Sequence, residues 1–169
     1  MIRAPSVAFA VAFALASACS APEQGKVPMT LPDRASFAPV GDLLVASCGT
    51  LDCHGQVERN FKLYGFDGLR LSPNDLPGKA PATTERELDA DYGSLVALEP
   101  ELISAVVKEG GARPERLTFV RKARNTEQHD GLQIFKPGGD DDRCVTSWLA
   151  GAVDTPVCNA AIAARTIVK

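Results

Sequence analysis

A chain of 169 residues, 45% apolar and 23% charged, has the size and composition of one ordinary globular domain and excludes an intrinsically disordered one. Its formal net charge of -3, with no strongly basic stretch, argues against nucleic acid as a partner. Only 6% of residues are aromatic, which predicts a modest core, and 14 Gly with 12 Pro predict long irregular segments.

The first predicted element is a secretory signal over residues 1–18. Arg3 is its single positive residue, an apolar run from Val7 to Ala16 follows, and small residues close it. The run is too short to span a bilayer comfortably. Leu15-Ala16-Ser17-Ala18-Cys19 resembles the lipobox of bacterial lipoproteins, with Ala16 where Leu is usual. That resemblance implies that Cys19 becomes the first mature residue and carries the lipid. The protein is then expected in the cell envelope, held on the periplasmic face or the outer membrane through its anchor. Residues 19–35 are polar and Pro-rich and read as a flexible tether, so the folded domain is expected over residues 36–169.

Within that domain the pattern is mainly α. Ser36 is placed to cap a helix running to about Ser47, with Phe37, Val40 and Leu44 on one stripe. Residues 56–81 are rich in Gly and Pro and predict an irregular, partly buried segment or a short hairpin across Gly65 and Gly68. Thr84-Glu85-Arg86-Glu87 is a capping box that opens a helix with Leu88, Leu95 and Val96 on its apolar face. A second helix starts at Pro100 and stops at Gly110-Gly111. "RLTFVRKA", residues 116–123, is ambiguous between strand and helix, and residues 124–139 read as loop. Arg121, Lys122 and Arg124 read as a solvated basic face. The acids at 140–142 supply a cap and first turn for another helix, and read better that way than as a calcium loop. Gly151 ends that helix, and Thr155 is placed to cap the last one, with Pro156 at its first position. Cys144 and Cys158 lie seven residues on either side of Gly151, about two helical turns each way. Both can face the seam of a helical hairpin, where an exported protein would oxidise them to a disulfide.

The stretch that carries chemistry is "SCGTLDCHGQ", residues 47–56. With Cys19, Cys144 and Cys158 assigned, Cys48 and Cys53 have no cysteine but each other. A haem-attachment site reads C-x-x-C-H: two thiols add to the haem vinyl groups and the next histidine ligates the iron. Here the spacing is C-x4-C-H, ending in His54, with a loop that opens on Gly49. Three readings stay open on the residues alone. They are a haem site with a long loop, a small disulfide ring between Cys48 and Cys53, and a zinc site adding His54 and His129.

"SCGTLDCHG" behind a short helix resembles the cytochrome c-like domains of bacterial lipoproteins and of the planctomycete-type cytochrome c group. "QHDGLQIFKPGGDDDRCVTSWLAG" resembles the closing segment of such modules. The resemblance covers both ends of the domain, from about Phe37 to Gly151, and leaves the middle without a motif. It implies a small cytochrome c-like helical domain with long loops and one covalent haem c per chain. Cys48 and Cys53 would carry the links and His54 would be the proximal ligand. The chain has two methionines, Met1 and Met29, and both precede the motif, so a downstream methionine ligand is absent. The other histidine, His129, lies in the closing segment; it is either the distal ligand, which would give a lower potential than His/Met ligation, or a solvated loop residue beside Asp130 and Gly131, with an open iron as the remaining case. The implied role is one-electron transfer to an unidentified redox partner protein, a carrier rather than a catalyst. The alternative is a cofactor-free, disulfide-stabilised structural or binding lipoprotein.

Overall fold

A computed structural model describes residues 28–75 and 82–166; the signal segment, Cys19 and most of the tether lie outside the described residues. Six helices run in order: α1 (Ala38–Cys48), α2 (Glu85–Val96), α3 (Pro100–Lys108), α4 (Thr118–Ala123), α5 (Asp140–Leu149) and α6 (Thr155–Thr166). Among the described residues there is no strand, only isolated bridges between Thr50 and Gly68 and between Tyr64 and Leu69. The mainly α class stands. No described helix is long and apolar enough to cross a membrane.

Helix α1 is the central element because its apolar stripe is wide. Phe37, Val40, Leu43, Leu44 and Val45 are all buried, and α5 and α6 pack against them. Trp148 of α5 is fully buried, with its ring 5.1 Å from Phe37, and Tyr92 of α2 meets Phe37 edge-on at 5.5 Å. The α5–α6 hairpin carries the predicted disulfide between Cys144 and Cys158, both fully buried. The ambiguous "RLTFVRKA" resolves as a short 3-10 turn followed by α4, with Leu117 and Val120 in the core.

Three caps differ from the sequence expectation. Ser36 does not cap α1; its hydroxyl donates to the Asp33 carbonyl, and Asp33 instead accepts from the backbone N–H groups of Ala35 and Ser36. At α5 the N-cap is Gly139; the acids of the 140–142 run form the first turn as expected, Asp142 accepts from the Gly138 N–H, and each acid also pairs with an arginine. Asp140 pairs with Arg143, Asp141 with Arg165 and Asp142 with Arg124. At α6 the side chain that caps is Asp154, which accepts from the Val157 N–H. The capping box at Thr84 and Glu87 is formed in both directions.

The described chain also begins within the stretch read as tether. There the Thr30 N–H donates to Ser104, the Tyr92 hydroxyl donates to the Pro32 carbonyl, and the Trp148 indole donates to the Asp33 carbonyl.

Helix α2 has an unusual inner face. Glu87, Asp91 and Ser94 lie at i, i+4 and i+7, one stripe of a helix. Each accepts a backbone N–H from the strandless segment that precedes it: Leu71 to Glu87 at 3.1 Å, Tyr64 to Asp91 at 2.7 Å and Lys62 to Ser94 at 3.0 Å. Glu87 is also held by Arg70 at 2.8 Å in a buried pair. Asp91 is fully buried, and its second oxygen, Oδ2, has no hydrogen-bond partner.

Two measurements test this architecture. Reducing or deleting the disulfide, which spans 14 residues, is expected to lower stability by about 3 kcal/mol in urea unfolding. The second concerns Asp91. Burial pushes its carboxyl up to about 7, with Glu87 and Asp42 adding like charge and the Tyr64 N–H opposing them. The folded state therefore binds a proton that the unfolded state, at about 3.9, has released. The Asp91 contribution to stability falls as pH rises from about 4 to about 7. Relative to wild type, Asp91→Asn should gain on the order of 2–4 kcal/mol between pH 4.5 and pH 8. A constant gap across that range would show that Asp91 is ionised in both states.

Candidate functional site

Helix α1 ends at Cys48, and the chain then folds into a tight loop around its own backbone. The His54 N–H donates to the Cys48 carbonyl at 2.9 Å, closing the four-residue insertion into a ring. The Thr50 carbonyl accepts from both Cys53 and Gly55 at 3.0 Å. This packing depends on glycine. A Cβ on Gly55 would lie 2.1 Å from the Gly49 carbonyl oxygen, and one on Gly68 would lie 1.8 Å from the same atom. The long loop is therefore a defined structure that sets Cys48, Cys53 and His54 in one neighbourhood.

His54 is fixed from two sides by the segment that α2 holds. Its carbonyl accepts from the Leu63 N–H, and its Nδ1 meets the Phe61 carbonyl, each at 2.9 Å. A carbonyl can only accept, so Nδ1 carries the proton and Nε2 keeps the free lone pair. That is the arrangement a metal-binding histidine needs, with the other nitrogen donating to a backbone carbonyl. Burial holds the His54 imidazolium below its ordinary range; the Phe61 carbonyl opposes this, and His129 and Arg59 add smaller effects in the direction of burial. The ring is neutral at pH 7.

His129 arrives from the loop between α4 and α5, far away in sequence. Its ring lies 6.1 Å from that of His54, centroid to centroid, with the planes only 10° apart. Its Nδ1 is buried without a hydrogen-bond partner, a condition that costs about 1–3 kcal/mol unless something else binds there.

The pair borders an apolar cavity of about 260 Å³. Leu44, Phe61, Leu98, Phe119, Ile134 and Phe135 line its walls, with Cys48, His54 and His129 beside them. Arg59 and Lys122 also reach the cavity, and both continue into an adjoining polar cleft with Asp52, Cys53 and Asp130. Cys48 and Cys53 are free thiols, not bonded to each other. Burial, with Cys53 as the second cause, pushes the Cys48 thiol up to about 12. In the metal-free chain it is thus a neutral thiol. Among the described residues no three or more His, Cys, Asp or Glu converge to hold a metal ion by themselves.

The sequence-predicted residues Cys48, Cys53, His54 and His129 come together. Sequence reasoning missed Phe61, whose carbonyl orients His54, and the α2 side chains behind it. It also misread the basic cluster. Arg124 is partly buried against Asp142, and Lys122 lines the cavity rather than a purely solvated face. The signal for Phe61 was its place seven residues after His54 in an otherwise irregular segment, which no periodicity picks out.

No protein-family model, curated protein or solved structure matches the chain.

The Cys48 environment makes a direct prediction. At pH 8 and in its native form, Cys48 should resist iodoacetamide, and in urea it should react fully, as read by peptide mass spectrometry. Rapid native alkylation of Cys48 would mean that its thiol is not raised.

Proposed function

We propose that this protein is a membrane-anchored c-type haem protein that passes single electrons in the cell envelope. One observation carries the reading: two near-parallel histidines, 6.1 Å apart, at an apolar cavity beside two unbonded cysteines. Cys48 and Cys53 would hold the group covalently, and His54, through Nε2, and His129 would ligate its iron. When bound, haem supplies a one-electron iron couple. The chain does the remaining work. Phe61, Phe119 and Phe135 exclude water, which favours the less charged reduced iron site. The Phe61 carbonyl fixes the His54 tautomer and raises its basicity. Arg59 and Lys122 offer cations where a carboxylated ring would meet solvent. The lipid on Cys19 would hold the domain on a membrane, where a partner protein would exchange electrons with it.

The donor set suits haem better than a bare ion. A porphyrin brings four nitrogens of its own, so two imidazoles complete the iron, whereas zinc would need a third or fourth protein ligand that is not gathered here.

Expression in a host with a cytochrome c maturation system tests the reading. The expected product is red, has a sharp α-band on reduction, and keeps its haem through acid–acetone extraction. His129→Ala should convert the low-spin spectrum to a high-spin one, and Cys48→Ala with Cys53→Ala should make the haem extractable. A colourless wild-type protein from that host, with Cys48 and Cys53 found joined as a disulfide, would establish the cofactor-free alternative instead.

A further inference from the structure

The residues that hold His54 are themselves held. Segment 61–64 has no strand partner, and its backbone groups alternate in direction as an extended segment does. At 61 and 63 the main chain engages His54: the Phe61 carbonyl takes Nδ1–H, and the Leu63 N–H binds the His54 carbonyl. At 62 and 64 the N–H groups turn the other way, to Ser94 at 3.0 Å and Asp91 at 2.7 Å on α2. The segment is thus a two-sided strap. One edge sets the tautomer of His54, and the other is fixed by two side chains one helical turn apart.

We propose that Asp91 and Ser94 are positioning residues for His54: by fixing the backbone of residues 61–64 from α2, they keep the Phe61 carbonyl on Nδ1 and so keep Nε2 as the bare, ligating nitrogen. The inference takes from the proposed function only the identity of what Nε2 binds; the tautomer itself is a property of the haem-free chain. Asp91 suits the task because its whole side chain is buried, one oxygen is committed to the Tyr64 N–H and the other has no competing partner. The charged and titratable groups facing it are Glu87 on the same helix, already held by Arg70, and Asp42 on α1. Ser94 suits it because its hydroxyl can accept from Lys62 without adding charge.

The test uses haem-free, 15N-labelled protein at pH 8 and long-range 15N–1H spectra of the imidazoles. With two histidines in the chain, His129→Gln assigns them. In wild type His54 should be a single Nδ1–H tautomer. Ser94→Ala and Asp91→Ala should each give a tautomer mixture, with a several-fold rise in the Nε2–H form. Asp91→Asn retains Oδ1 as an acceptor and should keep the wild-type tautomer. Near-UV circular dichroism of Trp148 checks that each variant is folded. If Asp91→Ala does not fold, Ser94→Ala decides alone. A folded Ser94→Ala protein with the wild-type tautomer would overturn the proposal, as would an Asp91→Asn protein that loses the tautomer. In haem-loaded protein the mixing variants should also shift the reduction potential, while Asp91→Asn should not. A colourless protein whose tautomers follow this pattern would refute the haem reading and uphold the positioning role.

Discussion

Everything at the site depends on how a segment without a sheet satisfies its backbone. A buried N–H that loses water must find an acceptor, and a strand normally provides it. Here the acceptors are side chains on one stripe of α2, at positions 87, 91 and 94. That choice places carboxylates in the interior, and burial resists their ionisation. Glu87 is held by Arg70 and by its role in the capping box, whereas Asp91 has only the Tyr64 N–H. The fold therefore keeps a poorly compensated acid inside because the adjacent segment needs an acceptor there. The Cys48–His54 loop rests on that segment in turn, through Leu63, Phe61 and the close glycine contacts of Gly55 and Gly68 with Gly49.

The apolar half of the site is built from the opposite direction. Helix α1 delivers Cys48 to the cavity wall, and Leu44, one turn earlier, forms part of the same wall. Helix α4 adds Phe119 and Lys122, and the loop beyond it adds His129, Ile134 and Phe135. The Ile134 and Phe135 N–H groups both donate to the Ala123 carbonyl, which folds this loop back onto the end of α4. The two histidines consequently come from two independently braced loops, one held by α2 and one by α4.

Much of this was legible in the residues. The capping box at Thr84, the Gly110-Gly111 stop, the apolar stripe of α1 and the Cys144–Cys158 hairpin all follow from local spacing, and local spacing is what sequence exposes. The proximity of Cys48, Cys53, His54 and His129 was expected from motif and resemblance. What stayed hidden was long-range pairing of polar groups. The acids at 140–142 do form the first turn of α5, but their pairing with Arg124, Arg143 and Arg165 has no signal in local spacing. Asp91 and Ser94 carry no signal in the sequence, because only the tertiary fold puts backbone donors opposite them. "RLTFVRKA" was undecidable because α4 is six residues long, too short for its period to show.

The contacts of the first described residues have a mechanical meaning. A pull on the chain ahead of Pro28 would first load the links of Thr30 to Ser104, Pro32 to Tyr92 and Asp33 to Trp148. Behind them stands Phe37, wedged between Tyr92 and Trp148. Only then does force enter α1, and Cys48 is at the far end of that helix, about 15 Å on. Tension arriving along the chain from that side is thus borne by an aromatic clasp in the core, well short of the loop that holds the cysteines and His54.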